Sequence, residues 1–469
     1  MIFFELIASY KSNNLYGISI LENEDFNLLL FNHPEFTSNE STVRTLIEKL
    51  AKGPCCTNDL KLASFFFKKE FDLRFENCVD ILGASSVFGK ILHPDEIKLP
   101  RIETILQASL YVEPNLSVVP SSILKKEYEH KLRLVKKRFE ATFATLQKKS
   151  MLQKYTTHFT KVSKALGILE ATGFKVDMTY VNTLLNLDEY KQHHYRLQEL
   201  QPVTYPVYSI GSSTTGRLSP GSSYGVKFNA LAIPKGGIRQ CIVPRNSILV
   251  EFDYTSFELH VMLYLFAPDG IKELFDYDAD IHSVLATETG IDDRDLIKRI
   301  VFQKIYGQER HIGDFKIKKL LASLGLSEKN VYVFKRYFDW IDQVKDDIYT
   351  MVNNNKDNTI VNMFGRHIVF DEESIDRKNL LFNNIIQSTA ADIAFSALVD
   401  IQKYLEKFKS KMILYCHDSY VVDLCKDEIG TIKEISKIMR NPISNYRFPI
   451  RVSAGPNYNE LRYLKNARF

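Results

Sequence analysis

The sequence predicts an α+β protein of more than one domain, on three observations. Its 469 residues exceed what a single hydrophobic core organises. Short apolar runs of strand character and runs of helical period are intermixed along most of the chain. Hydrophobic residues at 45% and charged residues at 25% give the balance of a soluble globular protein, with no internal repeat or low-complexity tract.

The elements follow in order. The opening MIFFELIASYK is apolar but too short for a signal peptide, and it lacks a small-residue cleavage site. No stretch of 18 uncharged apolar residues exists, so the expectation is no membrane span and a cytoplasmic protein. LYGISI and FNLLLF flank Asn23-Glu24-Asp25 and read as a hairpin. Ser41 to Lys52 reads as a helix. Ser122 to Lys149 reads as a long basic helix, either a solvated face or a surface that tracks phosphates. Thr156 to Ala171 reads as a further helix, stopped by Gly173. From about Leu197 the chain is extended and rich in Ser, Gly, Pro and Tyr, and a dense strand-and-helix region follows. A net charge of +4 permits a nucleic-acid partner without demanding one. The six cysteines show no CxxC pair and no Cys/His zinc spacing, which indicates a reducing compartment and no structural zinc.

Three segments carry chemistry. In SILVEFDYTSFELHVMLYL, Ile248 to Phe252 reads as a buried strand with Asp253 at its end. Helical spacing begins near Phe257, with Glu258 in the first turn. Asp253 there is either a metal ligand held by a rigid element or a helix cap. In KMILYCHDSYVVDL, two apolar runs flank His417-Asp418-Ser419, a tight hairpin with a carboxylate at its tip; an ordinary turn aspartate would look the same. Paired aspartates suit two magnesium ions about 3.5–4 Å apart, which clamp the oxygens of an in-line phosphoryl transfer. Between them, Arg294, Lys298, Phe302 and Tyr306 recur every four residues along one helical stripe. Two cations suit a triphosphate and two aromatics suit a base and sugar, whereas a plain surface helix with two tucked aromatics is the alternative.

Together these segments resemble A-family DNA polymerases, the group of the bacterial repair polymerase. Asp253 with Glu258 is similar to motif A, Arg294-x3-Lys298-x3-Phe302-x3-Tyr306-Gly307 to motif B, and His417-Asp418 to motif C, in the family's order. Thr215-Gly216-Arg217-Leu218-Ser219, Asp280-Ile281-His282, Phe364-Gly365-Arg366, Asn383-x3-Gln387 through Asp392, Gly455-Pro-Asn457-Tyr and Glu170 through Asp177 extend the resemblance over about residues 156–469.

The resemblance implies a right-hand fold of palm, fingers and reduced thumb, and a template-directed DNA polymerase. Asp253, Asp418 and the backbone carbonyl of Tyr254 would hold two Mg2+, with Mn2+ able to substitute. Lys298, also counted as catalytic, would join Arg294 and His282 at the triphosphate. Phe302 and Tyr306 would pack on the nucleotide, and Glu258 would crowd the sugar 2′ position. Arg217, Asn383, Gln387 and His417 would contact DNA. The implied partners are primer-template DNA, deoxynucleotides and a processivity or replisome protein. Phage or plasmid replication and repair are both open as settings.

The departures are specific. Ser419 stands where motif C usually has Glu, as in the distantly related single-subunit RNA polymerases, which makes an RNA polymerase or reverse transcriptase the enzymatic alternative. A DNA-binding scaffold is the non-enzymatic one. Ser256 replaces the usual Gln, and Gln303 the usual Gly. The interval from Asp177 to Thr214 is too short for the family's long helical hairpin, so weak duplex grip and low processivity are expected. Residues 1–120 resemble an RNase H-like 3′–5′ exonuclease domain whose catalytic Asp position is Ala63, so an inactive domain is expected. Residues 121–155 read as a basic helical connector, 156–210 as thumb, 211–265 and 356–469 as palm, and 266–355 as fingers.

Overall fold

The computed structural model describes residues 1–9, 13–31, 40–88, 120–224, 226, 228–272, 281–306, 333, 336–355 and 357–464. The chain divides into two compact units. The first comprises Met1–Glu251, Leu398–Ile429 and Ser453–Tyr463, and the second comprises Phe252–Ala397, Gly430–Val452 and Leu464–Phe469. Among the described residues no helix is long and apolar enough to cross a membrane.

Unit 1 opens with β1 (Ile2–Ser9), β2 (Asn14–Glu22), β3 (Asp25–Leu30), α1 (Glu40–Lys52), β4 (Cys55–Thr57), α2 (Leu60–Phe71), β5 (Cys78–Asp80) and α3 (Ile81–Ser86). The strands lie in the order β3-β2-β1-β4-β5. β1 pairs antiparallel with β2 and parallel with β4, which is parallel to β5, the arrangement of an RNase H-like α/β layer. The expected hairpin is present, with Glu22 opposite Asp25. Its loop residues Asn23 and Glu24 both take positive φ, the twist that two-residue hairpins favour.

Two long helices follow, α4 (Ser121–Lys148) and α5 (Thr160–Thr172), the latter entered through a π-turn at Tyr155–Phe159. α4 is amphipathic. Leu124 and Tyr128 pack with Ile7 and Leu30, and Leu132 and Val135 pack with Phe3, Cys56 and Ile81. The helix therefore covers the first sheet, and Lys125, Lys126, Arg133 and Lys137 stay exposed. α5 ends at Gly173 with φ +59, as its sequence indicates.

α2 and α5 touch backbone to backbone, since a Cβ on Gly167 would lie 2.4 Å from the Lys61 carbonyl oxygen. Beside that contact, fully buried Lys61 and Glu170 form an ion pair at 2.7 Å. Glu170 also accepts from the Tyr208 amide at 2.8 Å. The core of the first sheet includes Val207 and packs against Ala171, Tyr205 and Val226. Neither residue 120 nor residue 155 is thus a limit of a compact unit.

Three further carboxylates are buried here, and each is engaged internally. Glu5 on β1 accepts from the Thr57 hydroxyl at 3.1 Å and the Asn58 amide at 2.5 Å, and pairs with Lys131 of α4 at 3.0 Å. Asp59 caps α2 through the Leu62 amide at 2.9 Å. Asp80 accepts from the Gly83 amide at 3.0 Å and the Tyr155 hydroxyl at 2.9 Å. Burial, and then the charge of Asp59, push its carboxyl up to about 7. Ala63 lies in the apolar core.

Unit 2 begins within β6 (Ile248–Tyr254) and continues through α6 (Phe257–Phe266), α7 (Ile281–Thr289), α8 (Arg294–Tyr306) and α9 (Trp340–Asn353). The hairpin β7 (Thr359–Val361) and β8 (His367–Val369) precedes α10 (Lys378–Tyr404), whose last residues pass into unit 1. Arg366 and Asp392, both buried, bind through two hydrogen bonds of 2.9 and 2.6 Å. Asn362 donates to Asp392 at 2.7 Å and to Ser388 at 3.0 Å. This network bolts the β7–β8 turn to α10, and every buried polar group named in it has a partner.

Unit 1 also contains a hairpin, β9 (Lys411–Cys416) and β10 (Ser419–Leu424). With β11 (Ile450–Gly455) and β12 (Arg462–Tyr463) it belongs to a five-stranded sheet of order β9-β10-β6-β11-β12. β10 is buried along its whole length, as the apolar Tyr420-Val421-Val422 at its centre suggests.

Candidate active site

The burial of β6 alternates toward its end, so Phe252 and Tyr254 point inward while Asp253 is half-exposed. Asp253 is the penultimate strand residue rather than one beyond the strand. It is not a helix cap, because the residue before α6 is Ser256, in the left-handed region at φ 50. Tyr254 and Phe257 stack with ring centroids 4.1 Å apart and planes within 7°, and the edge of Phe448 closes on both. Aromatic packing therefore fixes the turn that presents Asp253.

Glu258 sits in the first turn of α6, where the helix dipole favours a carboxylate. It accepts a hydrogen bond from the Tyr306 hydroxyl of α8. The Ser256 hydroxyl lies 3.4 Å from Nδ1 of buried His282 on α7. Asp280, from the same predicted segment, lies outside the described residues, as does Gly307.

On α8, Asp293 caps the first turn through the Leu296 amide at 2.9 Å. Leu296, Ile297, Ile300, Val301 and Ile305 form the buried face. The opposite face carries the predicted stripe. Arg294 and Lys298 are exposed, and so is Phe302 at 44%, high for a phenylalanine of a packed helix. The Lys298 ammonium lies 5.7 Å from the Phe302 ring centroid, and the Phe302 and Tyr306 rings are 5.3 Å apart. From Lys298 to Tyr306 the stripe is therefore a row of neighbouring side chains in contact. On α10, Asn383 and Gln387 lie one turn apart and are half-exposed.

In unit 1, Cys416 faces Ser419, which leaves His417 and Asp418 as a two-residue loop with His417 at φ +58. His417 is exposed and Asp418 half-exposed. The Tyr415 hydroxyl donates to the His417 carbonyl at 2.5 Å. Tyr208 clamps the strand below, its hydroxyl donating to the Tyr415 carbonyl at 2.9 Å and accepting from the Tyr415 amide at 3.1 Å. Buried Ser419 turns its hydroxyl back to the Cys416 carbonyl at 3.3 Å. Arg217 is half-exposed, after Gly216 at φ +75.

The structure thus joins Glu258 with Tyr306, Ser256 with His282, Lys298 with Phe302, and Phe302 with Tyr306. Asp253 and Asp418 belong to different units, and their pairing remains a proposal. No cluster of three metal-ligating side chains occurs among the described residues. Sequence reasoning missed the Tyr208 clamp and the Ser256–His282 contact, since neither a tyrosine in a two-residue strand nor a positive-φ serine announces itself.

A family model, "DNA polymerase family A", matches residues 112–460. The chain belongs to DNA polymerase family A. Among curated family relatives, DNA polymerase I of Borreliella burgdorferi is 25% identical over 320 residues, covering 61% of this chain and 32% of that one. The thermostable DNA polymerase I of Thermus aquaticus is 26% identical over 313 residues, covering 63% and 35%. The chain spans about a third of the length of the curated relatives it matches. Among solved structures, the POL domain of Pol1 from M. smegmatis, in complex with DNA primer-template and dNTP, superposes with a TM-score of 0.73. It is 16% identical and covers 98% of this chain and 95% of that one, so the A-family polymerase fold extends over the N-terminal sheet as well.

Proposed function

We propose that this chain is a template-directed DNA polymerase that adds deoxynucleotides to a primer 3′-hydroxyl. The observation that carries the reading is the row of exposed Arg294, Lys298 and Phe302 with half-buried Tyr306, whose hydroxyl is hydrogen-bonded to Glu258.

Asp253 and Asp418 would hold the metal ions, with the Tyr254 carbonyl as a further oxygen ligand. Half-exposed carboxylates on a strand and a tight hairpin offer the hard oxygen donors that magnesium takes. Bound there, Mg2+, or Mn2+ in its place, would favour ionisation of the 3′-hydroxyl and stabilise charge at the α-phosphate. Arg294 and Lys298 would neutralise the triphosphate, and His282 would add a donor. Phe302 would stack on the nucleotide. Glu258, its carboxylate fixed by the Tyr306 hydroxyl, would occupy the space a 2′-hydroxyl needs. Arg217, Asn383, Gln387 and His417 would face the primer-template duplex, where minor-groove acceptors are common to all correct pairs.

Ser419 favours a second reading, an RNA polymerase or reverse transcriptase. The Glu258–Tyr306 pair opposes ribonucleotide use. The short helix Met178–Leu185 and the 3-10 turns after it stand where a long hairpin would grip DNA, which supports a reduced thumb, low processivity and need of a partner protein. The internal engagement of Glu5, Asp59 and Asp80, together with Ala63 in the core, supports a first domain without proofreading.

Primer extension tests this, comparing dNTPs with rNTPs and DNA with RNA templates. Wild type is expected to extend a DNA primer with dNTPs, and Asp253→Ala and Asp418→Ala to abolish extension with unchanged circular dichroism. No extension by the wild type would leave a scaffold; a preference for rNTPs would overturn the role of Glu258.

A further inference from the structure

Lys345 is a buried ammonium that the proposed chemistry does not use. It lies on α9 at 7% exposure. Its Nζ donates to the Lys304 carbonyl at 3.1 Å, in the turn of α8 that ends with Tyr306. The same Nζ lies 5.3 Å from the ring centroid of Phe382, the residue before Asn383 on α10. One buried cation therefore touches the helix carrying the Phe302–Tyr306 pair and the helix carrying Asn383 and Gln387.

The surroundings make the tie stiff. Asp342, three residues earlier on α9 and so on the same face, holds the Lys304 side chain at 2.9 Å. Lys378, the first residue of α10, pairs with Asp346 of α9 at 2.8 Å. Tyr337 donates to Glu288 of α7 at 2.6 Å, and Trp340 donates to the Tyr337 carbonyl at 2.7 Å. A lysine is rarely buried unless its ammonium is matched, because desolvating it is costly. Carbonyls near a helix C-terminus carry partial negative charge and lack helical donors, so a cation there is favourable.

We infer that Lys345 is a positioning residue that sets the register of α8 against α10. It would thereby couple the nucleotide-contacting row to the duplex-reading pair. The inference rests on the reading of α8 and α10 given above. Its consequence concerns discrimination more than rate. A correct pair can be seated by its own contacts, whereas rejecting a mispair requires that α8 and α10 not shift independently.

The test is Lys345→Met, which keeps most of the aliphatic stem and removes the ammonium, with Lys345→Arg as rescue. Ile348→Val, a methyl deletion at a buried position of the same helix, controls for lost packing. Single-nucleotide incorporation is measured for matched and mismatched dNTPs, with hydrogen exchange of the DNA-free proteins alongside. Lys345→Met is expected to lower the matched-to-mismatched efficiency ratio about tenfold, within the range by which one residue modulates coupling between two sites. It should also speed exchange at residues 378–392, and Lys345→Arg should restore part of both. Lys345→Met and Ile348→Val lowering the ratio equally would mean a structural role and overturn the inference. Should the wild type not extend primers at all, the proposed function fails. The coupling is then judged by exchange alone, and unchanged exchange at residues 378–392 in Lys345→Met overturns it.

Discussion

Asp80 gives the fold a pH dependence that one substitution should remove. Its carboxyl is raised from 3.8 to about 7 by burial and by Asp59, against the opposing hydrogen bonds from Gly83, Tyr155 and Leu60. A folded pKa above the unfolded one means that the folded protein binds the proton more tightly. The stabilisation is fully present below about pH 4 and is lost as pH rises through 7. At roughly 1.4 kcal/mol per pKa unit, a difference of about three units is worth about 4 kcal/mol. Stability should therefore fall by about 1.4 kcal/mol per pH unit between pH 4 and 7 and then level off. Asp80→Asn keeps an oxygen for the Gly83 amide and cannot ionise. Urea unfolding of the intact chain, followed by far-ultraviolet circular dichroism from pH 5 to 8, is expected to show a declining midpoint for the wild type. The decline should be largely absent in Asp80→Asn. Parallel pH profiles for the two proteins would refute the reasoning, because some other group would then be responsible.

Three further outcomes are expected. Lys61→Met strands the Glu170 carboxylate without its cation and should cost about 3–5 kcal/mol in urea unfolding, with part recovered by adding Glu170→Gln. Gly167→Ala drives a methyl onto the Lys61 carbonyl and should cost about 1–3 kcal/mol; a neutral result in the same assay would show that α2 and α5 can part freely. Glu258→Ala should raise ribonucleotide incorporation relative to deoxynucleotide by roughly 10–100-fold in single-nucleotide kinetics, and an unchanged ratio would place sugar selection elsewhere.

Much of the site was legible because it is local. The strand-to-helix step around Asp253, the His417-Asp418 hairpin and the four-residue recurrence on α8 are short-range patterns with fixed periods, and the structure reproduces each. What the sequence concealed is long-range. Lys61 and Glu170 lie 109 positions apart, and Tyr208 and Tyr415 lie 207 apart. A lysine in a helix reads as solvated wherever its partner is remote, so neither Lys61 nor Lys345 could be recognised as buried. α4 shows the same limit. Its charges suggested a connector, but the apolar stripe Leu124, Tyr128, Leu132 and Val135 decides its place on the first sheet.

The shared core of the N-terminal sheet bears on how the chain is made. The strands β1 to β5 are complete once residue 80 has been synthesised, but Val207 and the residues packed with it, up to Val226, come much later. At about 5–20 residues per second, roughly 6 to 30 s separate the two. Until α5 and then the segment around Val207 emerge, Phe65, Phe66 and Lys61 lack their final cover, and the nascent sheet is a candidate for chaperone capture. A chain cut near residue 120 would remain in that condition permanently.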